Sequence, residues 1–449
     1  MPDVDSVGSA AEVRPIDHVA VVGGGVVGLW TAHHLHAAGL GVTVLERDRV
    51  GSGASRGNAG QVCPALTLPL PEPGIVAASL RTLYRRDSAL YVPPQASLEL
   101  ARFLLGFARS ARAAPFAAGA GALRELGRDA VADYRELQAT GIDLRLDDRP
   151  YLHVHDSHEA AETARRRLER LAGDRFDVAD SVLASRQLGA LEPCLNGDSA
   201  GYLVGGQLTL EPSALVDGLA ARLRAGGVEI REGARVTALD PRADAVTVIT
   251  SEGRLEADAV VLAAGIWSAA LAATIGERLP IFPGKGYSFN IRIDDAPRHP
   301  ILLDAAHVVM TPLRDGTRIA GTMELDRRHD RFDRRRVEAI VAAARPYLCG
   351  ACWEQRWAEW VGPRPMTPTG LPLIGRIGDS GRAFVAAGHN MYGVTLAPAT
   401  GRAIAQLIAR GRSEIDLDPF APPRRAATAW RAPRTRWPPL PAAARVRRR

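Results

Sequence analysis

Cysteine is scarce in this 449-residue chain, which has four, at Cys63, Cys194, Cys349 and Cys352. Four cysteines in this length are too few for a disulfide framework, so we expect a protein of a reducing compartment. Cys349 and Cys352 have the spacing of half a zinc or redox site, but Cys63 and Cys194 supply no second pair in sequence. We therefore predict no metal site.

Long apolar runs are also missing. No stretch of the sequence approaches the roughly 18 consecutive apolar residues of a membrane span. The first fifteen residues are polar and lack the basic start and apolar middle of a signal peptide. We expect residues 1–15 to form a disordered tail and the protein to be cytoplasmic.

Lysine is almost absent, because Lys285 is the only one and the other basic residues are arginine. Nine arginines lie in residues 421–449, which contain no acid, and the rest of the chain has 47 basic against 50 acidic residues. The net charge of +6 therefore comes from a Pro/Arg-rich tail, predicted as disordered over 419–449. The body does not look like a nucleic-acid binder, and we expect no nucleic-acid partner.

A glycine-rich turn with the sequence VAVVGGGVVG spans 19–28. The apolar residues 16–22 predict a buried strand, 26–38 a helix, and 42–45 a second buried strand that ends at Glu46. In this order Gly23 makes the tight turn, Gly25 admits a pyrophosphate and Gly28 lets the helix pack on the strand. The helix N-terminus favours phosphate, and Glu46 is placed for ribose hydroxyls. The pattern predicts a dinucleotide site.

Two further segments extend this pattern. GSGASRGNAGQ, at 51–61, is rich in small and hydroxyl residues and suits the close approach of a long cofactor. The segment 383–408 repeats the order of strand, glycine turn and helix, and AAGIWS follows another apolar strand at 259–263. The positive end of the last helix would favour a reduced flavin.

Taken together, ASRGNAGQ, AAGIWS, GPRPMTPTGLPLIG and GHNMYGVTLAPATG resemble the D-amino-acid oxidase superfamily of FAD enzymes, and most of all its D-amino-acid dehydrogenase branch. The resemblance covers residues 16–420. It implies an α/β fold: an FAD-binding, doubly wound (Rossmann-like) domain with an inserted α+β substrate domain on a mixed sheet. The implied FAD domain comprises 16–96, 211–278 and 362–418, and the substrate domain comprises 97–210 and 279–361.

The resemblance also implies non-covalent FAD and a set of residues around it. The expected cofactor-binding residues are Gly23, Gly25, Val27, Gly28, Glu46, Arg47, Ser55, Asn58, Gly60, Gln61, Val236, Gly265, Trp267, Gly388, Gly393, Val394 and Thr395.

Three residues are expected to act on the substrate. Arg364, in GPRPMTP, matches the carboxylate-binding arginine of the family, and a planar guanidinium can hold a carboxylate through two bonds. Tyr287 is a candidate second donor to that carboxylate or an ordinary core tyrosine. His389 is expected in the pocket before the last helix. Lys285 lies close to Tyr287 in the sequence. Two interpretations stay open: a cation near the flavin or substrate, or a lysine that is there by chance.

The implied reaction is oxidation of a D-amino acid, with hydride passing from Cα to flavin N5 and the imine hydrolysed to a 2-oxo acid and ammonia. The expected electron acceptor is a quinone or an electron-transfer protein. The alternatives are an oxygen-using oxidase of glycine or sarcosine and, disfavoured by the acidic body, the FAD domain of an RNA-modifying enzyme. The apolar positions Leu100, Phe103, Leu104 and Phe107 predict an amphipathic helix that either faces the core or contacts the inner face of a membrane.

Overall fold

The computed structural model describes residues 15–79, 82–172 and 176–423. The predicted tails fall mostly outside this range, except that Phe420 is 1% exposed and belongs to the main apolar core, so the packed chain extends past the predicted start of the C-terminal tail at 419. Among the described residues, no helix has the length and apolar character needed to cross a membrane.

The strands in chain order are β1 (His18–Val22), β2 (Gly41–Glu46), β3 (Gln61–Val62), β4 (Leu90–Tyr91), β5 (Tyr151–His155), β6 (Ala200–Val204), β7 (Leu208–Thr209), β8 (Glu229–Glu232), β9 (Val236–Pro241), β10 (Val246–Thr250), β11 (Gly253–Ala257), β12 (Ala259–Leu262), β13 (Phe282–Ile291), β14 (Ile301–Leu303), β15 (Val308–Leu313), β16 (Gly316–Glu324), β17 (Trp357–Met366), β18 (Leu373–Ile377) and β19 (Ala383–Ala387). The helices are α1 (Val26–Ala37), α2 (Ile75–Ser79), α3 (Leu98–Ser110), α4 (Ala113–Leu126), α5 (Ala130–Ala139), α6 (His158–Ala172), α7 (Ser185–Leu191), α8 (Pro212–Ala225), α9 (Ser268–Thr274), α10 (Arg334–Ala344) and α11 (Gly393–Arg410).

The first large sheet has six strands in the order β18-β19-β12-β1-β2-β8, and all its neighbours are parallel except β18 and β19. Its central strands are apolar on both faces because helices cover one face and the three-stranded sheet β11-β10-β9 packs on the other. The helix predicted over 26–38 is α1, and Gly39 follows it in the left-handed region, with φ of 84°. This mostly parallel sheet is the predicted Rossmann-like sheet, with the three-stranded sheet on the face that carries helices in a doubly wound fold.

The second large sheet is mixed. Its order is β17-β13-β16-β15-β14-β5-β6, with β4 paired to β16 and β14 parallel to β5. One face packs on α10 through an apolar core that includes Tyr287, Phe289 and Ile319. The other face borders the main cavity. This arrangement agrees with the predicted α+β substrate domain on a mixed sheet. The solved structures described below confirm the α/β fold class.

The packing crosses the predicted domain boundaries in several places. The strand β4, in the range assigned to the FAD domain, pairs with β16 of the mixed sheet. In the opposite sense, α4 and α5 pack on the core of the six-stranded sheet, where Tyr134 donates to the Val394 carbonyl at 2.7 Å. The strand β17 runs across the boundary at 361/362. The division into two domains at these residues remains a prediction.

The amphipathic pattern on α3 faces the protein. Leu100 and Phe103 are each 6% exposed and pack with Phe282 and Met366. This burial accounts for the apolar positions at 100 and 103 without a membrane.

Candidate active site

A cavity of about 2420 Å³ lies between the two large sheets. It is bordered by the β1–α1 turn, the loop 53–61, the turn after β12, the strands β13 and β17, and the turn before α11. Common ligand pockets measure roughly 300–1,000 Å³, so this cavity has room for a dinucleotide and a second small molecule.

At the end of the cavity nearest the six-stranded sheet, the glycine turn leaves no space for side chains. Gly23 has φ of +114°, and a Cβ there would lie 2.5 Å from the Ala263 carbonyl oxygen. A Cβ on Gly28 would lie 1.9 Å from the Gly23 oxygen. The helix α1 begins directly after this turn. Its first N–H group, of Val26, donates to Ser55 Oγ at 3.0 Å, and its positive dipole end suits a pyrophosphate. The residues present therefore fit the phosphates of FAD.

Glu46 closes the turn from the side. Its Oε2 accepts from the Gly24 N–H at 2.8 Å and its Oε1 accepts from the Asp48 N–H at 3.0 Å. Burial raises the pKa of Glu46, while the two N–H donors oppose that effect. Next to it, the guanidinium of Arg47 lies 3.6 Å from the centre of the Trp267 ring. A buried acid at the end of β2 is suitably placed to accept from ribose hydroxyls.

The loop 51–61 is held in place from the mixed sheet. Arg318, on β16, donates to the carbonyl oxygens of Arg56 at 3.2 Å and Asn58 at 2.9 Å. Ser288, on β13, donates to the Gly57 carbonyl at 2.7 Å. These three bonds all end on main-chain oxygens of the loop. No motif in the sequence marks Arg318 or Ser288, because their partners lie more than 200 residues away.

Arg364 lies deep in the cavity, over Gly286 of the neighbouring strand, where a Cβ would come within 2.2 Å of the guanidinium. Its Nη1 donates to the Thr322 carbonyl at 2.8 Å. Burial lowers the pKa of Arg364 to about 10, which leaves it charged at neutral pH. Within 15–79, 82–172 and 176–423, no carboxylate forms an ion pair with this cation. A half-buried cation that borders a cavity and has no protein anion is a site for a ligand carboxylate.

Thr322, beside Arg364, is strained. The pairing of β13 with β16 shifts register between Lys285 and Tyr287, so the chain bulges at 322–323. Thr322 adopts φ of 58°, which is unusual for a β-branched residue, and such strain is common at functional sites. Its hydroxyl oxygen is buried with no hydrogen-bond partner among the residues that the structure describes, and the residue borders the cavity. No sequence signal marks this position.

Tyr287 is not placed as the predicted second donor to the carboxylate. Its phenol donates instead to Glu324 at 2.9 Å, and its ring packs in the apolar core on the other face of the sheet. The alternation along β13 explains this, because Gly286 and Ser288 face the cavity and Tyr287 faces away from it. The strand backbone still lets Tyr287 border the cavity.

Lys285 lies on the same side as Tyr287. It is 1% exposed and forms ion pairs with Glu324 at 3.1 Å and Asp326 at 3.3 Å. The ammonium of the lysine therefore compensates the negative charge of two buried carboxylates. Neither of the two interpretations of the sequence described this arrangement.

His389 borders the cavity and is 2% exposed. Its Nε2 lies 3.0 Å from the Thr400 hydroxyl, and burial lowers its pKa to about 3. The imidazole is therefore neutral at neutral pH, which favours positioning over proton transfer. The neighbouring Asn390 binds the Thr367 N–H at 2.9 Å and the Gly388 carbonyl at 3.0 Å, and so joins the end of β17 to this turn.

Most of the predicted site residues border this one cavity: Gly23, Gly25, Val27, Glu46, Arg47, Ser55, Asn58, Gln61, Val236, Gly265, Trp267, Tyr287, Arg364, His389, Gly393 and Val394. Four do not: Gly28, Gly60, Gly388 and Thr395. Thr395 accepts from the Cys63 N–H at 3.1 Å, and Gly388 has φ of 78° against the Thr367 methyl, so both support the turns behind the wall. The role of each residue toward FAD or substrate remains a prediction.

Known proteins resemble this chain over nearly its whole length. The D-amino acid dehydrogenase of Cereibacter sphaeroides (strain ATCC 17029 / ATH 2.4.9) is 32% identical over 92% of this chain and 98% of its own. The D-amino acid dehydrogenase of Methylobacterium radiotolerans is also 32% identical, over 91% of this chain and 100% of its own. The crystal structure of glycine oxidase from Geobacillus kaustophilus, 24% identical, superposes with a TM-score of 0.70 over 92% of this chain and 100% of that chain.

The match to a family confirms the resemblance found in the sequence. The family model described as "FAD dependent oxidoreductase" (DAO) matches residues 18–407, a range that contains the glycine turn, the cavity and Arg364. The chain belongs to the DAO family of FAD-dependent oxidoreductases and is an enzyme of the D-amino-acid dehydrogenase type.

Proposed function

We propose that this enzyme oxidises a D-amino acid to the imine, which water then hydrolyses to a 2-oxo acid and ammonia. In this proposal the electrons pass to a quinone or to another acceptor that is not oxygen. The relatives named D-amino acid dehydrogenase support the substrate class and the acceptor. The observation that carries the proposal is the half-buried guanidinium of Arg364, which borders the cavity and has no ion-pair partner among the described residues.

Arg364 anchors the substrate carboxylate. Its contact to the Thr322 carbonyl fixes the plane of the guanidinium and leaves donors free for two parallel bonds to a carboxylate. The Thr322 hydroxyl, unpaired within the described chain, is the second donor in place of Tyr287. Two anchored oxygens limit how Cα can turn, and FAD, when bound, supplies the hydride acceptor.

The wall next to Arg364 is partly apolar. The sulfur of Met323 lies 3.7 Å from Nη1 of Arg364, and His389, which borders the same cavity, is neutral. A carboxylate in such surroundings is attracted to the guanidinium more strongly than in water. The apolar wall also suits the neutral form of the amine, which is the form that can lose hydride.

The test is the pair Arg364→Leu and Arg364→Lys, with Arg376→Leu as the matched control because Arg376 is exposed on β18 and does not border the cavity. Removing one partner of a buried charge pair costs ~3–5 kcal/mol. At ~1.4 kcal/mol per decade, kcat/KM for the preferred D-amino acid should fall by roughly 10²- to 10³-fold in Arg364→Leu. Arg364→Lys should recover part of the loss, since one ammonium cannot form both bonds.

FAD content, read from the visible absorbance, should stay the same in all three variants. An amine without a carboxylate should be oxidised equally by wild type and by Arg364→Leu. If Arg364→Leu oxidises the preferred amino acid within a factor of three of wild type, Arg364 is not the anchor and the amino-acid assignment fails.

A further inference from the structure

A cluster of three metal-ligand side chains lies at the end of β5, several strands along the mixed sheet from Arg364. His153 and His155 are two residues apart on this strand and therefore point to the same face. Asp304 directly follows the parallel neighbour β14, and its N–H donates to the Val154 carbonyl at 3.0 Å. The pairing of β5 with β14 thus fixes the carboxylate opposite the two imidazoles.

The distances between these groups match those around a small divalent cation. Oδ2 of Asp304 lies 3.2 Å from Nδ1 of His153 and 3.2 Å from Nε2 of His155, and the three ligand atoms all lie within 4.8 Å of one another. A tetrahedral zinc ion with bonds of about 2.0–2.1 Å holds its ligand atoms roughly 3.3–3.4 Å apart. Two of the three separations are already close to this value.

The hydrogen bonding of the cluster is incomplete. Within the part of the chain that the structure describes, the Nε2 of His155, which lies 3.2 Å from Asp304 Oδ2, is buried without a hydrogen-bond partner of acceptable geometry. An unsatisfied buried polar group costs free energy, so a ligand on this nitrogen would be favoured. The ring of Tyr202 stacks against both imidazoles, at 5.0 and 5.7 Å between ring centres, and holds their planes nearly parallel.

The cluster is separate from the carboxylate anchor but borders the same cavity. Ser288, Ala320, Val309, Leu302 and His153 are register partners in a row across the sheet, and all of them border the cavity. At about 4.8 Å per strand, the four steps of this row place His153 roughly 19 Å from β13.

We propose that His153, His155 and Asp304 form a binding site for a first-row divalent cation, with zinc as its natural probe. Two imidazoles and one carboxylate are a ligand set that such ions prefer, and three protein ligands leave a fourth position for water. Because Asp304 is 37% exposed on its side chain, the ion can enter from solvent without rearrangement of the sheet. The sequence predicted no metal site, since Asp304 lies about 150 residues from the two histidines.

The experiment uses the full-length, tag-free holoenzyme, stripped with a chelator, dialysed and titrated with ZnCl₂ by calorimetry and metal analysis. We expect one tightly bound zinc ion per chain and a rise in melting temperature on binding. Cobalt(II) at the same site should give an absorption band to the red of the flavin spectrum with the intensity of a four-coordinate complex. Absence of zinc binding in the micromolar range would overturn the proposal.

Variants assign the site. His155→Gln and the isosteric Asp304→Asn should each weaken zinc binding by at least about 100-fold, because even partners outside the ligand shell contribute roughly 10- to 100-fold. His158→Gln, at an exposed histidine three residues away, and the double variant Cys349→Ser/Cys352→Ser should bind zinc like wild type. Flavin content and the melting temperature without metal report folding in each variant. Zinc that persists in Asp304→Asn and His155→Gln, or that is lost in the cysteine variant, belongs elsewhere and contradicts the proposal.

Discussion

At the scale of single residues, the site combines the charge of Arg364, which has no ion-pair partner among the described residues, with the neighbouring buried hydroxyl of Thr322, which has no hydrogen-bond partner among them. A charge without an ion-pair partner and a hydroxyl without a hydrogen-bond partner both cost free energy in the enzyme without substrate. A substrate carboxylate removes both costs at once, because it is an anion with two oxygens. The neutral His389 beside them adds no competing charge.

Thr322→Val tests the hydroxyl. Valine keeps the β-branched shape, so the strain at φ of 58° is the same and only the donor is lost. A hydrogen bond to a charged group contributes ~1.5–3 kcal/mol, so kcat/KM should fall by roughly 10- to 150-fold. Thr322→Ser, which retains the hydroxyl, is the control and should stay within a few fold of wild type. Equal kinetics for the valine and serine variants would show that the hydroxyl does not contact the substrate.

His389 should make stability depend on pH. Burial lowers its pKa from 6.5 to about 3, so between these pH values the unfolded chain binds a proton that the folded chain does not. Stability therefore falls as pH decreases through this range, by up to about 1.4 kcal/mol per pH unit from this one group. In urea unfolding between pH 7.5 and 4.5, His389→Gln should show a shallower loss than wild type.

Burial also lowers the pKa of His34 to about 3, so part of the dependence of stability on pH should remain in His389→Gln. His158→Gln, at an exposed position, should keep the full wild-type slope. A slope unchanged in His389→Gln would mean that the imidazole is protonated in the folded enzyme.

At the scale of elements, α1 and α11 approach each other more closely than side chains would allow. A Cβ on Gly401 of α11 would lie 2.6 Å from the carbonyl carbon and oxygen of Trp30 on α1. The obstacle is main chain, which cannot rotate away. Since α1 begins at the glycine turn and α11 begins beside His389, their contact fixes two walls of the cavity relative to each other.

Gly401→Ala should therefore force the two helices apart and destabilise the enzyme by about 1–3 kcal/mol. Gly121→Ala is the matched control: it also lies within a helix, α4, but a Cβ added there would meet no atom of the described chain within 4 Å, and the variant should gain up to about 1 kcal/mol. Melting curves of the two holoenzymes, with flavin fluorescence as a second probe, give the comparison. A Gly401→Ala enzyme as stable as wild type would show that the helices have room to move.

The elements that can be predicted well from the sequence are those with local signals. The strand, glycine turn and helix at 16–38 and again at 383–408 follow from residue order alone. The pairing of β4 with β16 and the bulge at Thr322 depend on strands far apart in sequence, and no local pattern encodes them. The contact of the Tyr287 phenol with Glu324 could not be predicted for a related reason, because the sequence shows the alternation along β13 but not which face borders the cavity.

At the scale of the whole molecule, two large sheets enclose one main cavity, from which the electrons of the substrate must leave. The acceptor proposed above is a quinone or another acceptor that is not oxygen, whereas the glycine oxidase structure shares the fold. We expect the reduced enzyme to react slowly with oxygen and rapidly with a soluble quinone. Stopped-flow reoxidation in air-saturated buffer, with and without the quinone, measures both rates. Rapid reoxidation by oxygen alone would assign the enzyme to the oxidases.

A membrane quinone would require contact with lipid, and α3 offers a surface for it. Leu98 and Leu105 are 64% and 52% exposed, and they share one face of the helix with the exposed Arg102 and Arg109. We predict binding to vesicles that contain phosphatidylglycerol but not to pure phosphatidylcholine, with loss of binding in Leu98→Glu/Leu105→Glu. Because Leu98 and Leu105 also border the cavity, the flavin content and melting temperature of the double variant are measured as controls for folding. Equal flotation of wild type and variant would exclude α3 as the contact.

The three bonds from Arg318 and Ser288 to the carbonyls of the loop 51–61 have a consequence for recombination between relatives. Because the acceptors are main-chain oxygens, these three bonds depend on the path of the loop and not on its side chains. A chimera that imports the mixed sheet of another enzyme will therefore accept this loop only if the donor sheet carries an arginine and a hydroxyl at the same two places. Substrate selectivity and flavin binding therefore transfer together in such a chimera. A chimera that joins the loop to a sheet without these two groups should fold but should not bind flavin, and the purified protein should be colourless.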